Sequence, residues 1–222
     1  MHSRTYENIS SQLRDIFSIA LDDLAYLVSP KRIIYCEGRD HPGTNGTERG
    51  LDAKVYNTIF SETYPDTAFI SSGGNTELDQ RSALAITILG KVLPTLEVWV
   101  LKDRDMASGK PTSENDRQLY LQNNAENHRI LKRWEIENYL YDKEILKKYC
   151  ASNGTVFDEE AYDALVENIN DQNLKDETGK IKNICGIKSS INPERFKLSL
   201  SEHISQGMSV FEELEREIFL RK

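Results

Sequence analysis

The sequence predicts an α/β fold, a mostly parallel sheet of about four strands flanked by helices, followed by a helical C-terminal extension. Three observations carry this. Short apolar runs rich in β-branched residues alternate with helix-period segments over the first two thirds of the chain. The segments between successive runs are long enough for right-handed crossovers. Beyond residue 142 only helical patterns remain.

Residues 6–27 place Ile9, Leu13, Ile16, Phe17, Ala20, Leu21 and Leu24 at helical spacing, and Ser29-Pro30 ends that helix. Lys31–Cys36 reads as a first buried strand, and the polar, glycine-bearing segment 40–50 as a loop. Leu51, Val55 and Ile59 share one stripe of a helix over 51–60. Ala68–Ser71 is a second strand, and Ser72-Gly73-Gly74-Asn75 caps a helix over 76–91. Glu97–Leu101 is a third strand and 114–124 a further helix, while 128–133 fits a fourth strand or a helix. Helices are expected over 142–149, 158–170, 193–204 and 209–220. The expected division is a connecting helix (1–30), an α/β domain (31–141) and the helical extension (142–222).

Composition narrows the function classes. Of 222 residues, 38% are hydrophobic and 29% charged, and the apolar runs are strand-sized rather than membrane-spanning. The N-terminus lacks the apolar core of a secretory signal. Cys36, Cys150 and Cys185 are odd in number and never in CxxC spacing, which disfavours a disulfide framework or a cysteine zinc site and suits the cytoplasm. A net charge of -8 disfavours a domain that grips nucleic acid unaided, because phosphate neutralisation supplies most of such binding. It favours a metal or small-molecule site, or a subunit whose partner holds the polymer.

In an open parallel sheet, ligands bind beyond the carboxyl ends of the strands. Glu37 follows the first strand, Asp103 and Asp105 the third, and Glu135 and Glu137 the fourth. Side chains two apart on an extended chain point the same way, so Asp103 and Asp105 reach one space while Lys102 and Arg104 face elsewhere. Clustered carboxylates repel unless a cation lies between them, and an all-oxygen set suits Mg²⁺ or Mn²⁺. Gly38 lets the chain turn sharply after Glu37, and Gly73-Gly74 lets a backbone approach a phosphate. Each feature also has a plain structural explanation as a cap, turn or solvated acid; their recurrence at three strand ends favours a site.

The order strand–Glu37-Gly38, strand–Gly73-Gly74, strand–Asp103-Arg104-Asp105 resembles the layout of the Toprim domain, a Rossmann-like metal-binding fold of topoisomerases, primases and nucleases. The segment Arg133-Trp134-Glu135-Ile136-Glu137-Asn138-Tyr139-Leu140 resembles the branch containing OLD-like (overcoming lysogenisation defect) nucleases, which occur with SMC/ABC-type ATPases. The resemblance implies a metal-dependent endonuclease acting on DNA or RNA, with two Mg²⁺ or Mn²⁺ ions. Glu37, Asp103 and Asp105 would be ligands, Glu37 also a general acid or base, and Glu137 with Glu135 would serve a second ion. A further ligand is expected after the Glu-Gly, at Asp40 or Asp52. A late catalytic lysine is expected at Lys188 or Lys197. An ATPase domain or subunit is the expected partner, since the chain lacks a Walker A pattern; it is either a stand-alone subunit or an excised C-terminal domain. Dimerisation and a role in anti-phage defence are further expectations. The alternatives are primase-like chemistry and a catalytically degenerate Toprim scaffold that binds a partner.

Overall fold

The computed structural model describes residues 30–38, 50–73, 93–105, 109–124, 127–188 and 190–220, with isolated positions between 78 and 91. The expected helix over 6–27, Asp40 and Gly74 lie outside the described residues.

Four strands form one parallel sheet: β1 (Arg32–Cys36), β2 (Thr67–Ser71), β3 (Glu97–Lys102) and β4 (His128–Ile130), in the spatial order β2-β1-β3-β4. This is the α/β architecture the sequence predicts. β1 lies centrally, with Cys36 level with both Ser71 and Leu101, so its end is flanked by the ends of β2 and β3. Ile34, Cys36, Val100 and Leu101 are all but fully buried, which explains the unbroken apolar runs of these strands.

Helix α1 (Leu51–Phe60) follows β1 and buries Ala53, Val55, Tyr56, Ile59 and Phe60. Tyr56 and Phe60 stack on Phe69 of β2 at ring separations of 5.1 and 5.9 Å. The described positions Leu78, 82–84, 86–88 and Lys91 are helical, as expected over 76–91. Helix α2 (Glu114–Asn123) starts at Ser113, whose hydroxyl accepts from the Asp116 N–H.

The C-terminal part contains α3 (Ile136–Leu140), α4 (Lys143–Asn153), α5 (Glu159–Leu165), a 3₁₀ turn (Lys175–Glu177), α6 (Thr178–Ile184), α7 (Pro193–Ser201), α8 (Ser209–Glu215) and a final π-helical turn (Arg216–Leu220). Its buried side chains, among them Leu140, Phe196, Phe211 and Ile218, join those of the sheet in one apolar cluster.

Several boundaries differ from the sequence reading. The fourth strand stops at Ile130, not 133, because the Lys132 and Arg133 N–H groups donate to the Tyr139 hydroxyl instead of a ladder. The helical region begins at Ile136 rather than 142, and α5 ends at Leu165, well before 170. There the Gln172 side chain accepts from Glu167 N–H and donates to Leu165 O, turning the chain into a loop. Helix α6 has no counterpart among the expected helices: it is seven residues long, too short for a periodic signal.

Two buried arginines fix the segment after β4. Arg117 of α2 donates to the carbonyls of Ile130 and Leu131 and pairs with Glu217. Arg133 pairs with Asp142 at 2.7 Å and Glu213 at 2.9 Å, and donates to Asn138 O. The loop 131–135 is thereby held against both the sheet and the last helix, which sets where Glu135 and Glu137 stand.

Candidate functional site

At the carboxyl ends of β1 and β3 the acids named from the sequence come together. Glu37 stands one residue beyond Cys36, Asp103 two beyond Leu101, and those two last residues are paired across the ladder. The Asp103 N–H donates to Glu37 Oε1 at 3.2 Å, joining the strand ends directly. Arg104 turns away to pair with Asp171 and Glu114, and Lys102 faces the Tyr120 ring, as the alternation requires. Asp105 forms a bridge with Pro111, and its buried Oδ1 has no hydrogen-bond partner among the described residues.

Asp52, in the first turn of α1, is brought in by a close backbone approach. Gly38, at φ 123°, pairs in antiparallel fashion with Gly73, each N–H donating to the other carbonyl. A Cβ at Gly38 would lie 2.7 Å from Asp52 Oδ2 and 3.0 Å from Ser71 Oγ. Ser71 in turn accepts from the Ala53 N–H and so fixes the start of α1. Only glycine fits here, for both its φ and its lack of a side chain. Gly38→Ala is therefore expected to displace Asp52 and to cost about 2 kcal/mol of stability, read from the denaturation midpoint.

From the C-terminal side, α3 contributes Glu137 in its first turn, 4% exposed, with Lys197 Nζ of α7 at 2.7 Å. Glu135, the residue before that helix, lies 3.4 Å from Lys175 Nζ. Asn138 accepts from the Glu135 N–H and donates to the Ile169 and Gln172 carbonyls. This buried amide therefore links the two glutamates to the loop that delivers Lys175.

Electrostatics show how crowded these charges are. Burial is the first cause that raises the Glu37 carboxyl to about 7; the Asp103 N–H and Lys102 oppose it, and Asp105 reinforces it. Asp52 is likewise raised to about 7 by burial, then by Glu137, against Lys175 and Lys197. Asp103 is pushed well above the carboxylate range by burial and then by Glu37, Asp52, Glu137 and Glu135. Glu135 is raised by burial, with Lys175 opposing. Burial disfavours charge on Lys175, yet Glu137, Glu135, Asp103 and Asp52 together hold its proton more firmly than usual. Cys36, beneath the acids, is kept a neutral thiol by burial and by Asp52.

Six carboxylates (Glu37, Asp52, Asp103, Asp105, Glu135, Glu137) thus face two lysines. Of the two expected late lysines, Lys197 reaches the cluster and Lys188 is exposed on the segment after α6. Asp52 belongs to it; Asp40 lies outside the described residues. Gly73 serves the backbone pair with Gly38. Lys175 escaped the sequence reading, since nothing near it in the chain marks it; the fold of the loop before α6 brings it in.

An all-oxygen donor set with a buried Asp105 oxygen, unpartnered among the described residues, fits a hard divalent cation. Among the described residues, no three acids, histidines or cysteines already form a metal-binding group, and the two lysine ammonium groups lie against Glu135 and Glu137.

No family model matches the chain, and no curated protein matches it. Among solved structures, the C-terminal region of the Burkholderia pseudomallei OLD protein is similar at 13% identity and a TM-score of 0.45, over 85% of this chain and 96% of that one. A likeness of that degree carries no functional weight, so the site is read from its own residues. Among the described residues, no helix is long and apolar enough to cross a membrane.

Proposed function

We propose that this chain is a divalent-metal-dependent nuclease of the Toprim, OLD-like type, hydrolysing phosphodiesters of DNA or RNA beside an ABC-type ATPase domain or subunit. The observation that supports it most is the convergence of Glu37, Asp52 and Glu137 on Asp103, whose proton affinity each of them raises. Such mutual repulsion costs stability without a cation, which is the mark of a site built for one.

Glu37, Asp52, Asp103 and Asp105, with Glu135 and Glu137, would hold Mg²⁺ or Mn²⁺. Bound there, such ions would supply a water that is nucleophilic at neutral pH and positive charge for a departing 3′ oxygen. Asp103 orients Glu37 through its N–H, leaving the other Glu37 oxygen to exchange a proton. Lys197 fixes Glu137, and Lys175 offers a positive charge to an incoming phosphate. The chain's acidic balance is explained in part by these ligands, and the remaining deficit by a partner that grips the polymer. An anti-phage role is part of the same proposal and rests on the resemblance of residues 133–140 alone.

The rival, a degenerate scaffold that binds a partner, draws on the lysine–glutamate pairs that already neutralise Glu135 and Glu137. A cleavage assay on supercoiled plasmid and on RNA, with and without Mg²⁺ or Mn²⁺, decides between them. Metal-dependent nicking supports the nuclease. Intact substrates under every condition, including with the ATPase partner present, refute it.

A further inference from the structure

At Lys102, the last residue of β3, a cavity of ≈ 260 Å³ opens, lined also by Ser82, Ile86, Tyr120, Asn124 and His128. Its construction is specific. The Tyr120 hydroxyl and His128 Nδ1 are hydrogen-bonded at 2.8 Å, which holds the two rings 6.0 Å apart and tilted by 53° as two adjoining aromatic faces. Lys102 Nζ lies 5.4 Å from the Tyr120 ring centroid. The Asn124 amide, donating to Tyr120 O, and the buried Ser82 supply polar edges, and Ile86 lies at the rim, 39% exposed. None of these groups belongs to the acidic cluster.

Pockets for whole drug-sized ligands start at about 300 Å³. This one suits something smaller, flat and partly polar, with an anion beside it. An aromatic wall, an amide, a hydroxyl and a lysine match a nucleobase and its phosphate. Position supports this. Lys102 immediately precedes Asp103, and its charge is felt at Glu37, so the cavity's cation and the acids share one strand end.

We infer that the Tyr120–His128 cavity binds an unpaired base next to the phosphate that is cut, with Lys102 on the connecting backbone. This rests on the nuclease reading of the acids. A base can enter only after leaving its stack, so the preferred substrate is single-stranded nucleic acid.

The test has two arms. In the first, cleavage of a single-stranded oligonucleotide and of the same sequence as a duplex is followed with Mn²⁺. Tyr120→Ala is expected to raise KM for the single strand roughly tenfold, with a smaller effect on kcat and none on duplex KM. Tyr120→Phe, which keeps the ring, retains the wild-type KM, and unchanged thermal unfolding of both variants excludes a folding defect. In the second, a 4-thiothymidine oligonucleotide is photo-crosslinked to the wild type, with the label expected on Tyr120 or His128. If the wild type cuts but Tyr120→Ala leaves single-strand KM unchanged, the cavity assignment is overturned and the nuclease reading stands. If the wild type cuts nothing yet crosslinks at Tyr120 or His128, the base site stands and the nuclease reading falls. Neither cutting nor crosslinking overturns both.

Discussion

Asp103→Asn is expected to abolish metal-dependent cleavage, by roughly 10³-fold, while leaving the metal-free protein at least as stable as the wild type. These two effects belong together. Asp103 sits where the fields of Glu37, Asp52, Glu137 and Glu135 add, so its ionised carboxylate is the most opposed in the cluster. Asparagine keeps the size and the backbone N–H that holds Glu37, but removes the charge. An acid retained only for packing would show the reverse pattern, a loss of stability with activity preserved. Cleavage rates and thermal midpoints on one preparation separate the two. Lys188→Ala, altering an exposed residue, is the matching control and should change neither.

The second large effect is on the pH dependence of folding. Glu37 and Asp52 keep their protons up to about 7 in the folded chain, whereas unfolded carboxylates release them near 4. The folded state therefore binds more protons than the unfolded state between those values, and stability falls as pH rises through that window. The contribution is fully present below about pH 4 and is lost as the pH rises to about 7. Because other carboxylates titrate too, the informative quantity is the difference from Glu37→Gln/Asp52→Asn, whose denaturation midpoints should decline less steeply between pH 4 and 7. Added Mn²⁺ should restore wild-type stability at neutral pH and do little for the double variant.

How far the sequence alone reached depended on the range of the interactions involved. The strands were legible because β1 and β3 bury one face and half-bury the other, so apolar residues fill consecutive positions. The acids at their ends were legible because a parallel sheet places such residues on one edge whatever the rest of the chain does. The end of β4 was not, since Ile130 and Leu131 continue into Lys132 and Arg133 without a break in pattern; what stops the strand is a tyrosine hydroxyl from α3. Lys175 was hidden for a similar reason. Its place depends on Asn138 holding the carbonyls of Ile169 and Gln172, a contact across more than thirty positions that no local spacing encodes. The segment from Glu135 to Leu140 carries both roles at once. Glu135 and Glu137 face the site, while Ile136, Asn138, Tyr139 and Leu140 are buried in the fold that aims them.

Whether these carboxylates form a cation site is read from calorimetric titration of the metal-free protein with Mn²⁺ at neutral pH, in two buffers of different ionisation enthalpy. The expected result is saturable binding with release of protons, because Glu37, Asp52 and Asp103 must give theirs up to become ligands. Asp103→Asn should weaken that binding at least tenfold and reduce the proton count. Wild-type protein that takes up no Mn²⁺, or an Asp103→Asn variant that binds it equally well with the same proton release, would mean that the carboxylates are not a cation site.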